Sequence, residues 1–112
     1  MGESRRQKIE SLLRDSPEDV FLRYSFALEL ENEGDWETGV DILQDLARGT
    51  PPYVPAYHMA GRHLAKHGRI SEARTALREG IDEARRQGES HAAGEMSEFL
   101  TSLGELGDEG IH

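Results

Sequence analysis

The chain has 112 residues and a formal net charge of −9, a length that suits one domain with a modest core. It contains no cysteine, which excludes disulfides, thiolate metal sites and thiol nucleophiles. No apolar run approaches the roughly 18 residues that a membrane span needs, so we expect a cytoplasmic protein with no membrane contact.

The first predicted element is a helix over residues 3–16. Its apolar residue Ile9 is followed by Leu43 and Leu77 at successive intervals of 34 residues. A position that stays apolar at a fixed interval indicates repeated structural units, and a 34-residue unit has room for two helices and a turn. The chain is therefore predicted to be all-α.

The second element is a helix that begins after Ser16, which we predict to be its N-cap, with Pro17 at the first helical position. Its apolar residues fall at helical spacing, and they are Val20, Leu22, Phe26, Ala27 and Leu30. Gly34 is predicted to end this helix because glycine adopts the left-handed conformation without a side-chain clash. Asp35 then caps the next helix, and Trp36 in its first turn is expected to cover the open end of the hairpin.

A second helical hairpin is predicted to follow the first, with Gly68 at its turn and Ile70 in the place of Trp36. Two pairs of small residues lie at matching places in the two hairpins, Ala27 with Gly39 and Gly61 with Ala73. Small residues at these places indicate that the two helices of each hairpin cross closely.

The last predicted element is a capping helix over residues 90–103, which Ser90 can begin. One face of it is apolar and carries Ala92, Ala93, Met96, Phe99, Leu100 and Leu103. Residues 104–112 contain too few apolar side chains to pack, so we expect a flexible tail.

The period, the small residues, the turn glycines and the aromatic after the first turn together resemble the tetratricopeptide repeat (TPR) family. The second unit matches best, through Tyr57, Ala60, Gly61, Leu64, Gly68, Ala73 and Leu77. The resemblance implies a right-handed α-solenoid of antiparallel helical hairpins with about six helices, in a single domain over residues 1–103. It assigns residues 20–53 to repeat one and residues 54–87 to repeat two, and it makes residues 3–16 the second helix of a truncated preceding repeat.

The resemblance also implies a ligand groove, because the first helix of each TPR hairpin lines a concave surface. The implied groove residues are Phe21, Tyr24, Leu28, Glu31, His58, Arg62, Ala65 and Lys66. His58, Arg62 and Lys66 lie one helical turn apart on one face. An apolar wall beside a basic stripe would suit a peptide with a hydrophobic side chain and an acidic group.

A second interpretation of the same residues needs no ligand. In it, Arg62 and Lys66 pair with Glu29, Glu31 or Glu33 of the neighbouring helix, while Tyr24 is merely half-buried. Both interpretations are open at the level of sequence. Some TPR domains hold a C-terminal chaperone carboxylate with lysine and asparagine, but Tyr24 and Leu28 occupy those positions here, so we predict no such clamp.

Catalysis and metal binding have little support in the sequence. There is no glycine-rich phosphate loop, nucleophile motif or metal signature. His63 and His67 are spaced i,i+4, but a third ligand is not evident nearby, so no metal and no cofactor are expected. The glutamates before Gly34 are most simply a solvated or salt-bridged surface.

Charge is unevenly distributed along the chain, with net values of +1, −7, +3 and −6 over residues 1–16, 17–51, 52–86 and 87–112. Two acidic blocks would repel a phosphate backbone, so nucleic-acid binding is not expected. The sequence thus predicts a non-enzymatic adaptor or scaffold that binds a protein or peptide in its groove. The alternative is a self-assembling homodimeric module, in which the −7 block meets the +3 block or the Phe21 stripe becomes buried.

Overall fold

Six helices joined by short turns make up the fold. The computed structural model describes the backbone of residues 2–111 and the side chains of residues 2–104, and no strand occurs within that range. The helices are α1 (Arg5–Asp15), α2 (Val20–Asn32), α3 (Trp36–Ala47), α4 (Val54–Lys66), α5 (Ile70–Arg86) and α6 (Ser90–Ile111). Each helix packs against the next one along the chain, and α4 also contacts α6. The prediction of an all-α fold of helical hairpins is confirmed.

Three of the five connections between helices depend on glycine. Gly34, Gly68 and Gly88 have φ values of 92°, 81° and 75°, which lie in the left-handed region that side-chain-bearing residues avoid. The predicted turns at Gly34 and Gly68 are therefore confirmed. A left-handed turn at Gly88 was not predicted from the sequence.

Replacing Gly68 with valine tests this turn. A Cβ at this position would meet no atom within 4 Å, so the cost is backbone strain alone. We expect the free energy of unfolding to fall by about 1–2 kcal/mol, because a β-branched residue resists positive φ. Thermal melting followed by circular dichroism measures the change, and an unaltered midpoint would contradict a strained turn at this residue.

The start of α2 differs from the prediction. Asp19, not Ser16, is the N-cap, and its Oδ1 accepts a hydrogen bond from Leu22 N at 2.9 Å. Ser16 instead ends α1, since its N–H donates to Leu12 O at 3.0 Å. Pro17 and Glu18 lie in the turn between the two helices. The cap is therefore the carboxylate of Asp19, which directly precedes Val20, the first residue of the helix.

The predicted close contact between Ala27 and Gly39 is confirmed, while Gly61 has a different neighbour. A Cβ on Gly39 would lie 2.7 Å from the backbone oxygen of Ala27. A Cβ on Gly61 would lie 2.7 Å from Leu77 Cδ2, so Leu77, not Ala73, fills the space opposite this glycine. The reason is that Leu77 is wholly buried and needs the volume that the missing side chain leaves.

One apolar cluster of buried residues runs from α2 to α6. The largest wholly buried side chains of the molecule are Leu30, Leu43, Leu64, Leu77 and Met96. The recurrent apolar position is buried in all three occurrences, with Ile9 at 8% exposure and both Leu43 and Leu77 at 0%. The period read from the sequence therefore corresponds to a repeated packing position.

Helix α6 extends beyond the predicted end at residue 103. Arg74 of α5 donates from Nη2 to the carbonyl oxygen of Leu103 at 3.0 Å, and Leu103 itself is 3% exposed. This contact holds the helix to α5 at the place where we expected it to end. The side chains after residue 104 lie outside the described residues, and the flexibility of residues 104–112 stays a prediction.

Candidate functional site

The residues predicted to line a groove lie on α2 and α4, which are neighbours. Lys66 Nζ of α4 donates to Glu31 Oε1 of α2 at 2.8 Å. At the other end of the same helices, the rings of Tyr24 and Tyr53 meet edge to face, with centroids 5.6 Å apart. Helix α6 lies on the far side of α4, since Phe99 approaches both Arg62 and His58. We call the surface formed by α2, α4 and α6 the inner face.

The α2 part of the inner face is apolar at its first turns. Phe21 is 68% exposed, and Tyr24 is half-buried on the same helix face. Burial raises the pKa of the Tyr24 hydroxyl, with a further contribution from Tyr53. Leu28 follows one turn later and is also half-buried. Phe21 is therefore the most accessible of the three residues that we predicted to form an apolar stripe.

The basic stripe on α4 is divided between two different environments. Lys66 is tied to Glu31, as the interpretation without a ligand expected. Arg62 is not, because its guanidinium lies 5.1 Å from the centre of the Phe99 ring. Among the side chains that the structure describes, no carboxylate pairs with Arg62. Ala65, between the two, is partly buried against the core.

Glu31 is a point of contact between the repeats and is not a free groove residue. Its side chain is 8% exposed, and Oε1 also lies 3.2 Å from His67 Nε2. The Lys66 hydrogen bond is the main cause that lowers the pKa of the Glu31 carboxyl. The His67 ring in turn stacks on Trp36, with centroids 4.2 Å apart and planes within 5°. Trp36 therefore covers the hairpin end, as predicted, by contacting the turn of the next repeat.

The other glutamates of this segment are paired as well. Arg5 Nε lies 3.3 Å from Glu29 Oε2, and Arg6 Nη1 lies 3.2 Å from Glu33 Oε1. The salt-bridged interpretation of Glu29, Glu31 and Glu33 thus describes all three, with α1 supplying two of the partners. The basic member of each pair is at least one-third exposed, so each pair is worth at most about 1 kcal/mol.

His58 adds an unsatisfied polar atom to the inner face. Its Nε2 is buried and has no hydrogen-bond partner among the described residues. Burial, and then the positive charge of Arg62, lower the pKa of this imidazole, which favours its neutral form. A neutral imidazole can donate or accept one hydrogen bond at such an atom.

Phe99 is the inner-face residue that the sequence analysis did not assign to the site. It was placed on the apolar face of the capping helix, where a core role was expected. Its ring is partly buried and contacts the core, but it also faces Arg62 and His58. No signal in the sequence identifies this contact, because the 34-residue register is lost at the longer helix α5.

Metal binding gains no support from the geometry. Within the described residues, no group of three or more His, Asp or Glu side chains could hold an ion. His63 is 9% exposed, and its Nδ1 is buried without a hydrogen-bond partner.

Within the described residues, no helix has both the length and the apolar character to cross a membrane.

Burial of His63 predicts how stability depends on pH. Burial is the main cause that lowers its pKa, opposed by Glu31 and assisted by Lys66, His67 and Arg62. The unfolded chain therefore binds a proton below about pH 6.5 that the folded chain resists. Stability is full above that pH and is lost as the pH falls through the lowered folded pKa. Protonation of Glu31 adds a further loss at a more acidic pH, since its pKa is also lowered.

We expect the thermal midpoint to fall between about pH 7.5 and about pH 5.5. His63→Gln should reduce this dependence, and the part due to His58, whose pKa burial also lowers, should remain. Substitution of His91, whose side chain is 92% exposed, is the control and should leave the slope unchanged. A slope that His63→Gln does not alter would contradict the assignment.

Comparisons with known proteins agree with this architecture. No protein-family model matches the chain. The TPR repeat-containing protein PA0015 of Pseudomonas aeruginosa is 26% identical over 95 residues, which cover 85% of this chain and 90% of that protein. The solution structure of protein BPP2914 from Bordetella parapertussis matches with a TM-score of 0.79 at 20% identity, covering 94% of this chain and 91% of that one. The structural likeness concerns the fold alone.

The hairpins, their glycine turns and the homologue define a TPR-like protein, which confirms the resemblance seen in the sequence. A TPR-like homologue indicates a protein-interaction module in general terms. All-helical folds of this type are typically non-catalytic.

Proposed function

We propose that this chain is a non-enzymatic adaptor that binds an extended peptide or a helix of a partner protein on its inner face. The ligand lies across α2, α4 and α6, with an apolar side chain against Tyr24 and Leu28 and an acidic group at Arg62. The proposal concerns the mode of binding and the chemistry of the ligand.

The observation that carries the proposal is the state of Arg62. Its guanidinium is exposed and held over the Phe99 ring, and it has no carboxylate partner among the described side chains. A cation held on an aromatic face keeps its N–H donors directed outward, and guanidinium N–H groups match a carboxylate in a two-bond geometry.

Lys66 has a smaller part in this proposal than the basic stripe implied. Its ammonium group already donates to Glu31, so an acidic ligand would compete with an existing ion pair. An acidic ligand that binds Arg62 would displace only water, because no described carboxylate pairs with this arginine. We therefore assign the recognition of the acidic group to Arg62.

Selection of peptides from a random displayed library tests the proposal. Selected peptides should contain an acidic residue near an apolar one, and Arg62→Glu should weaken their binding by at least about tenfold, because an attractive charge becomes repulsive at short range. The chain should stay folded, since exposed surface changes typically alter stability by about 0.5 kcal/mol or less.

The matched control is Arg78→Glu, which reverses an equally exposed arginine on α5, outside the inner face. Backbone NMR shifts on peptide addition should fall around Tyr24, Leu28, His58 and Phe99. Equal losses of affinity in both variants, or shifts confined to α5, would contradict an inner-face site.

A further inference from the structure

Three large hydrophobic side chains are exposed together at one end of the α1–α2 hairpin. Phe21 is 68% exposed, Leu12 54% and Val20 41%. Leu12 lies in the last turn of α1, and the other two lie in the first turn of α2. The short connection, in which Asp19 N donates to Ser16 O at 3.1 Å, brings the two helix ends together. We call these three residues the N-terminal patch.

A groove with an apolar wall lies beside this patch. Val20 lines it on one side. The loop between α3 and α4 lines it on the other with Pro51, Pro52 and Tyr53, together with Pro55 in the first turn of α4. We call it the proline–tyrosine groove. The Tyr53 ring also meets Tyr24, one turn along α2 from Phe21. A protruding aromatic ring therefore adjoins a recess that is lined by apolar residues and also by charged ones, among them Arg23, Asp45 and Arg48.

The charge around the patch favours a second copy of the chain as the occupant. Residues 1–23 contain five basic and five acidic residues, so the whole net charge of −9 resides in residues 24–112. The net charge of the chain makes two copies repel each other at long range, and a neutral N-terminal region adds nothing to that repulsion. Both signs occur next to the patch, at Arg14, Asp15 and Glu18, so opposite charges can face each other across a two-fold axis.

We propose that the N-terminal patch is a dimer interface between two copies of this chain. The Phe21 ring of each copy occupies the proline–tyrosine groove of the other, and Leu12 and Val20 become covered at the same time. A surface that carries both the protruding ring and the recess is self-complementary, so the contact closes with two copies and does not propagate. Arg62 lies on α4 and takes no part in this contact, so dimer formation and the recognition of an acidic group at Arg62 can be tested separately.

Sedimentation equilibrium on the full chain, unaltered and as Phe21→Ser, tests the dimer. We expect a concentration-dependent dimer for the unaltered chain and at least a tenfold higher dimer dissociation constant for the variant. The variant should melt at the midpoint of the unaltered monomer, because Phe21 is largely exposed. Arg62→Glu is the control and should leave the dimer intact, so that loss of the dimer and loss of peptide binding are separable results.

A photo-crosslinking amino acid, benzoylphenylalanine, at position 21 tests where the ring lies. Mixed isotope-labelled and unlabelled chains should give intermolecular crosslinks to the loop at residues 50–55, and the same group at position 101 should give none. A chain that stays monomeric up to about 1 mM would overturn the proposal. A dimer that survives Phe21→Ser, or crosslinks outside this loop, would overturn it as well.

Discussion

Replacing Gly39 with valine is expected to lower the free energy of unfolding by about 3 kcal/mol or more. The first added carbon would lie 2.7 Å from the carbonyl oxygen of Ala27, and Leu30 Cβ is 3.6 Å away. The obstructing atom belongs to the α2 backbone, so no side-chain rotation can relieve the contact. Helices α2 and α3 would have to separate, and both contribute to the core.

The same substitution at Gly94 is the control for this prediction. Gly94 lies within α6, and a Cβ there would meet no atom within 4 Å. Valine at this position should be neutral or slightly stabilising, because glycine is the poorer helix former. Thermal and urea unfolding measure both variants, and similar effects at the two glycines would contradict a close α2–α3 crossing.

Shortening the recurrent apolar side chain should have the second large effect. Leu43→Ala and Leu77→Ala remove side chains that are wholly buried, and each should cost about 3–5 kcal/mol through lost burial and a residual cavity. Leu77→Ala should lower the free energy of unfolding more than Leu43→Ala does. The cavity left by Leu77 lies against Gly61, which has no side chain that could move into it.

The third member of the series provides an internal comparison. Ile9 occupies the equivalent position on α1, where it is 8% exposed and has helix α2 on one side only. Ile9→Ala should therefore cost less than either leucine substitution, at about 2 kcal/mol. Urea denaturation of the three variants measures the order, and an equal cost at all three positions would contradict the terminal position of α1.

The homologue and the structure together place this chain in a class in which repeated hairpins present a surface. Helices α2, α4 and α6 supply that surface, and the pairs at Glu29, Glu31 and Glu33 hold α1, α2 and α4 in register. The acidic residues of the first repeat are thus largely occupied within the molecule. Arg62 and Phe21 are both exposed, and among the described residues neither side chain has an ion-pair or aromatic-pair partner like those of the glutamates and Tyr24.

The helical hairpins and their turns were determined by the sequence alone. Local chemistry decides these features, because a helix needs periodic apolar residues and a left-handed turn needs glycine. Gly34 and Gly68 therefore identified their turns without reference to the rest of the chain. The 34-residue interval identified Ile9, Leu43 and Leu77 as one packing position, since repeated units bury equivalent residues.

Only the tertiary structure decided how the candidate site is divided. On the sequence, Arg62 and Lys66 are equivalent cations one turn apart, and each had the same glutamates as possible partners. Because α2 packs beside α4, Lys66 forms an ion pair with Glu31. Because α6 packs on the other side of α4, the Phe99 ring lies under Arg62. Contacts between distant segments depend on helix position and rotation to within a few ångströms. Spacing along one helix determines which residues share a face, but not which neighbour that face meets.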